Sequence, residues 1–514
     1  MHRGDLIGLL GILTGLGLLI WLAFRGWSVL LLAPIAAVAA AFFSREPLLA
    51  HWTQTFMQSA SGFLAQFFPI FLLGALFGKL MEDSNSVSAI ADYMTEKLGT
   101  KRAILAVVLG GAVVTYGGVS LFVAFFVIAP MAQGLFRAAA IPRRLMPAAI
   151  MLGTATFTMS AMPGTPSIQN TIPMPFFGTT PFAAPGLGII ASAIMLAFGV
   201  WWLGRQQAAA HARNEGFGDG APKTASEIAR DDTLRERATA SHEFDPAEIG
   251  HGELAATRPG FESAVAPIVV VILVNLLLSL IVLPRLDLSF LSKPEWGGVS
   301  PAAVTGVWSV LTALTFAILV VIVLNWTRIP DLRATMDAGV NASALPAISV
   351  ACLVGFGAVV AALPAFAMVR DAVLGIGGGP LVSLAVATNT LAALTGSASG
   401  GLTIALDALG ATYLERAAQI GMDPALLHRV AVIGSGTLDS LPHNGAVVTL
   451  LSDANAPMDR ATRMFSWSRS LARLSLSLWS FCSARSSVRS DPSASLPVIC
   501  NMRFRCKSHP PPVA

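Results

Sequence analysis

Asp439 and His443 stand four residues apart in the stretch GSGTLDSLPHNG, residues 434–445. On a helical turn that spacing puts both side chains on one face. Burial raises a carboxyl toward neutrality by penalising its charged form, and an imidazole titrates there already. Such a pair takes up and releases a proton as its surroundings alternate between wet and dry, so we read Asp439 with His443 as carriers of a coupling proton. The plainer alternative is that Asp439 caps the following half-helix and His443 is interfacial. Ser440 and Asn444, interleaved with them, can hydrogen-bond a small polar ligand. An aspartyl hydrolase would need two carboxylates sharing one site. Only Asp407 is at hand, and it opens a charged connection running to Arg429, so no catalytic residue is assigned.

The elements that position this pair follow from its neighbours. Gly434, Gly436 and Pro442 interrupt an otherwise apolar run, and neither residue type continues a helix comfortably. A bilayer admits unwound backbone only where protein or a water-filled cavity surrounds it. The expectation is a discontinuous membrane helix whose break forms a binding site. A second break stands at TMSAMPGTPSIQN, residues 158–170, and offers Thr158, Ser160, Pro163, Gly164, Thr165 and Asn170. Two oversized uncharged runs, 103–136 and 372–406, are too long for one span. They read as helical hairpins or broken helices, with tips at TYGGVSLF (Gly117, Gly118, Ser120) and TGSASGGLTIAL (Ser397, Ser399, Gly400, Gly401, Thr403). Broken helices aim free N–H groups at the gap, which suits a carboxylate. No arginine or lysine falls within these stretches, so an anion is expected to be held by dipoles and hydroxyls. That favours a small, weakly charged ligand over a trianion.

Composition sets the class. Of 514 residues, 54% are hydrophobic and 12% charged, and the mean hydropathy is +0.68. Soluble domains carry about 25% charged residues, so the chain is an integral membrane protein of helices. A barrel would alternate polar and apolar residues. The net charge of +4 is scattered and points to no nucleic-acid partner. Four cysteines form no CxxC or disulfide framework, and no metal, phosphate or dinucleotide motif stands in a convincing context, so no cofactor is expected.

In order, spans are expected at 6–24, 27–43 and within 52–78, then a polar connection over 82–102, the first oversized run and the first break. Arg137, Arg143 and Arg144 mark a turn that the positive-inside rule places in the cytoplasm. Residues 145–204 hold no ionisable group and end in a span near 187–203, so this segment is expected inside the protein or around a neutral cavity. Residues 205–262 read as a polar surface linker. The second half offers spans at 263–284, within 297–327 and within 338–369, then the second run and second break. GGVSL at 117–121 resembles GGLTI at 400–404, and TMSAMP at 158–163 resembles TLDSLP at 437–442, with offsets of 283 and 279. The fold class is therefore an all-α polytopic membrane protein of two repeats, residues 1–204 and 263–451. We expect the pair to be inverted, although the crossing count that decides this is left open by the sequence. Matched repeats with matched breaks mark a secondary transporter; a passive channel would not require two such hinges. At the repeat offset a last span is due near 466–482, where WSRSLARLSLSLWSF stands instead. Each arginine at mid-depth costs about 2.5–3.5 kcal/mol. In GC-rich DNA, Val, Ala and Leu codons read one base out of frame yield mostly Ser, Arg and Leu. We read residues 452–514 as out of frame, with a basic cytoplasmic tail as the alternative; independent reads of the 3′ end decide.

The strings TYGGVSLFVAFFVIAPMA, TFTMSAMPGTPSIQNTIP, FFGTTPFAAPGLGIIAS, LTGSASGGLTIALDALGATYLE and GTLDSLPHNGAVVTLL resemble the gluconate permease family, within the wider ion-transporter superfamily. They are most similar to its branch of D-β-hydroxybutyrate and general hydroxy-acid permeases. The likeness runs from about residue 68 to 451, apart from the linker. It implies a multi-pass symporter of the bacterial cytoplasmic membrane that takes up small hydroxy-carboxylates, such as 3-hydroxybutyrate or gluconate, with protons (or sodium). Citrate or another organic anion is the alternative substrate. A homodimer is a further expectation from the wider fold. The likeness stops at 451, where such permeases continue into a last hydrophobic helix.

Overall fold

The computed structural model describes residues 3–23, 27–119, 121–217, 253–395 and 397–437. Among them the secondary structure is entirely helical, as the composition requires. Two long helices form the frame. The first, α3 (Leu48–Asp83), follows α1 (Arg3–Ala23) and α2 (Val29–Phe43). The other, α13 (Leu332–Ala362), starts at Asp331, whose carboxylate caps the helix by accepting from the Ala334 N–H. Thr335 donates to Asp83 at 2.7 Å at one end of this pair, Gly339 packs on Leu76, and Gly355 packs on Phe56 towards the other end. The two helices therefore run antiparallel along their length, about 45 Å at 1.5 Å per residue for α13. Their ends define two faces of the molecule.

One face carries both edges of the polar linker. Ala255 N–H donates to Asp83 O at 2.7 Å, Arg258 pairs with Asp92, and the Tyr93 and Phe261 rings stack 3.7 Å apart. Arg144 holds Glu215 through two bonds, 2.7 and 2.9 Å, and Arg137 lies 5.2 Å over the Phe217 ring. On this face the connection expected to be merely polar contains a helix, α4 (Ser86–Leu98). It buries Val87, Ala89 and Ile90, and the chain turns 102° after it. The opposite face gathers the start of α1 and the end of α2, where Gly8 meets both Ser44 and Ala365. Beside Ala365 begins α14 (Phe366–Leu374).

Both oversized runs fold as hairpins. In the first, α5 (Ala103–Tyr116) and α6 (Leu121–Ala138) pack antiparallel, with Gly110 near Met131 and Gly111 near Ile128. Arg137 brings the end of α6 back to the linker face from which α5 left. In the second, α15 (Pro380–Thr395) and α16 (Ala398–Gln419) are tied by Ser383 Oγ and Tyr413 Oη at 2.9 Å. Arg416 then donates to Leu374 O at 3.1 Å, which returns α16 to the opposite face. The hairpins hang from opposite faces, and that arrangement makes the two repeats inverted. Helices α11 (Phe261–Leu277) and α12 (Pro301–Asn325) pack on each other, and five helices among the described residues are long and apolar enough to cross a membrane.

Candidate functional site: where two half-helices meet

The first break is built by a helix that loosens before it stops. Helix α7 runs Met146–Met151, widens into a π-helical turn over Leu152–Thr156, and ends at Phe157–Ser160. Single π turns of this kind recur at functional positions. Gly153 allows it to press on α5: a Cβ there would lie 2.2 Å from Val108 O. The chain is unwound from Ala161 to Ser167 and resumes as α8 (Ile168–Thr171) and α9 (Pro173–Phe177). Gly164 sits at φ +84°, a conformation open to glycine and unfavourable to residues with a Cβ. After the loop, α10 (Pro185–His211) returns to the linker face.

From the other face enters α17 (Pro424–Thr437), started by Asp423, whose carboxylate accepts from the Ala425 N–H at 2.8 Å. It packs on hairpin helix α15, Gly434 against Thr388 and Ala385, just as Gly153 packs on α5. Its end reaches the end of α7. A Cβ on Gly436 would lie 2.7 Å from Ser160 Cβ. The first hairpin tip closes on the same place: Gly118 (φ +95°) abuts Pro166, Thr115 donates to Thr158 at 3.3 Å, and Tyr116 donates to Pro163 O at 2.8 Å. Thr158, Ser160, Pro163, Gly164, Thr165, Asn170 and Gly118 thus come together, while Gly117 turns against Ile268 of α11. Ser397, Ser399, Gly400, Gly401 and Thr403 form the second tip, whose α16 packs through Leu402, Leu406 and Leu409 on Ile172 and Phe177 beyond the first break. Ser120, Asp439, Ser440, His443 and Asn444 lie outside the described residues.

Three hydroxyl protons at the junction and the second tip are already committed. Ser160 donates to Thr156 O at 2.7 Å, Thr158 to Thr154 O at 3.0 Å, and Thr403 to Ser399 O at 2.7 Å. Such hydroxyls keep only acceptor lone pairs for a ligand. Helix α16 begins at the second tip, where Ser397 Oγ caps it by accepting from Gly400 N–H at 3.1 Å.

A family model for GntP family permeases matches residues 7–175. An uncharacterized transporter of Bacillus subtilis, YxjC, is 39% identical over 448 residues, covering 86% of this chain and 91% of that protein. The chain belongs to the GntP family of permeases. Among solved structures it resembles MtrF of Neisseria gonorrhoeae, described as one of a class of antimetabolite efflux pumps, at TM-score 0.51 and 13% identity over 85% of each chain. YdaH of Alcanivorax borkumensis, a transporter of unusual topology, gives 0.49 at 13% identity over 86% and 90%. The permease is accordingly a transporter rather than an enzyme.

One sequence expectation fails at this junction. The break region does contain an arginine. Arg429 of α17, fully buried, crosses from the second half into the first and gives all five of its N–H groups to it. Nε and Nη2 reach Ala183 O at 3.0 and 2.9 Å, and Nη2 also reaches Pro181 O at 3.1 Å. Nη1 reaches Asn170 Oδ1 at 3.0 Å and Ala161 O at 3.4 Å. The polar connection assigned to 407–429 is really the body of α16, a short turn and the first turns of α17. Asn170 Nδ2 donates to Thr165 O and Pro181 O, which fixes its Oδ1 as acceptor. His428 Nε2, 3.2 Å away, is therefore the protonated nitrogen, and its Nδ1 accepts from Thr179 Oγ1 at 2.6 Å. Asn275 of α11 donates to Gly164 O at 3.1 Å. The uncharged loop before α10 is packed inside the permease, as expected, because this arginine satisfies its carbonyls. Asp423 followed by Pro424 is the signal that would have placed His428 and Arg429 within a helix.

Proposed function

We propose that the permease is a proton-coupled symporter for small hydroxy-carboxylates, such as D-3-hydroxybutyrate or gluconate, in a bacterial cytoplasmic membrane. The observation that carries this is the meeting of α7 and α17, entering from opposite faces, at Ser160 and Gly436. A ligand at that point is reachable from either side when one repeat rocks against the other. The acceptor-only hydroxyls suit a substrate hydroxyl, and the positive ends of α6 and α16 at the hairpin tips suit a carboxylate. Sodium is the alternative coupling ion. Asp439 with His443 remains our assignment for the coupling proton. Lys97, Lys101, Arg102, Arg137, Arg143 and Arg144 gather on the linker face, which the positive-inside rule turns to the cytoplasm. A homodimer is the expected assembly.

The test is uptake of labelled 3-hydroxybutyrate into vesicles bearing the permease, under an imposed proton gradient, an imposed sodium gradient, or neither. Proton-driven uptake that is lost in Asp439→Asn supports the proposal. Unlabelled gluconate and citrate as competitors place the substrate within the class. Drive by sodium alone overturns the coupling, and absence of uptake for every carboxylate overturns the substrate class.

A further inference from the structure

The charge on Arg429 has no opposite among the described residues. Its five donors end on four backbone or amide oxygens, all neutral, and among the described residues no carboxylate stands within ion-pairing distance. Neutral acceptors hold the guanidinium in place and satisfy its geometry, yet the net charge stays buried, an arrangement that is unfavourable until an anion joins it. The neighbouring His428 adds no counter-charge, since its ring is bonded between Thr179 and Asn170. The weakest of the five bonds is the 3.4 Å contact of Nη1 with Ala161 O. Ala161 follows Ser160, the residue on which Gly436 rests, so this loosely held edge of the guanidinium belongs to the junction.

We propose that Arg429 is the specificity-determining residue for the substrate carboxylate: it attracts the carboxylate as its missing counter-charge and offers it the Nη1 edge in exchange for the long Ala161 contact. A carboxylate is the better acceptor, because it opposes the buried charge as well as accepting the hydrogen bond. His428 and Asn170 are positioning residues that keep the guanidinium plane fixed during the exchange. This assignment rests on the hydroxy-carboxylate reading, and the experiment separates the two.

Isothermal titration of the full chain in lipid nanodiscs compares 3-hydroxybutyrate with 3-hydroxybutyramide, its uncharged amide. Wild type is expected to prefer the acid by about tenfold to a hundredfold, the size of one charge-assisted bond. Arg429→Gln is expected to bind the two nearly equally while still binding the amide, and Arg429→Lys to keep a reduced preference. A merely structural arginine would weaken both ligands together and leave their ratio unchanged. An unchanged ratio in Arg429→Gln therefore overturns the assignment. Should that variant bind neither ligand, Arg429→Lys decides: amide binding with the acid preference lost overturns it, and a retained preference supports it. If wild type binds neither compound, the substrate reading fails instead.

Discussion

Gly436 rests on Ser160, with room for no side chain between them: an added Cβ would lie 2.7 Å from Ser160 Cβ and 3.1 Å from its Oγ. Gly436→Ala should therefore strain the contact where the two repeats touch, at an overpacking cost of about 1–3 kcal/mol. Initial rates of uptake should fall with it. Combining it with Ser160→Gly moves the Cβ to the other partner and should recover the thermal midpoint, the readout of the contact itself. No recovery in the pair would mean that the two residues do not face each other in the working permease.

Gly153 makes the tightest approach at the start of the break, because the obstacle is the Val108 carbonyl rather than a movable side chain. Gly153→Ala is expected to lower the thermal midpoint sharply, with about 2 kcal/mol or more lost as backbone must shift. Gly204, in α10 with nothing within 4 Å, is the control. Gly204→Ala should be neutral or gain up to about 1 kcal/mol from helix propensity. Equal effects at the two positions would discredit the packing account.

Lys79, Glu82 and Asp83 form an ion cluster where α3 ends, Lys79 Nζ lying 3.1 Å from Asp83 and 3.2 Å from Glu82. Asp83 is fully buried, its side chain also holds Thr335 of α13, and its backbone carbonyl accepts from the Ala255 N–H at the linker exit. Removing one partner leaves a buried charge, which costs about 3–5 kcal/mol. Lys79→Met should thus be more damaging than Thr335→Val, which deletes one hydrogen bond worth about 1.5–3 kcal/mol to a charged group. Detergent-resistant folding measured by fluorescence-detected size exclusion ranks the two.

Arg144 and Glu215 tie the linker entrance to the turn before α7 at the surface, with a quarter to a third of each side chain exposed. A double-mutant cycle should return about 0.2–1 kcal/mol, shrinking with added salt. A larger, salt-insensitive coupling would show that this pair is shielded from water in the membrane.

Much of this architecture was legible because lipid forces it. Uncharged runs of the wrong length for one span had to fold back, and Gly117 with Gly118 marked where. Thr158 to Asn170 betrayed the first break through its proline and glycine content. Arg429 was not legible in the same way. Apolar periodicity cannot show that a cation at the edge of a charged run turns inward, and all but one of its partners are carbonyls up to 268 residues away, contributed by backbone that any sequence supplies. Tyr116 and Asn275 were hidden for the same reason: they serve the break from helices that otherwise read as plain apolar spans.

Arg429 also dictates an order of assembly. Left without partners in hydrocarbon, an arginine costs about 2.5–3.5 kcal/mol to insert. The oxygens that receive it belong to residues 161–183, which leave the ribosome some 250 residues earlier. When α17 emerges, the segment that receives it has already been synthesised, and docking on that segment converts an unfavourable helix into an anchored one. The first half is thus a template on which the second half completes its own insertion.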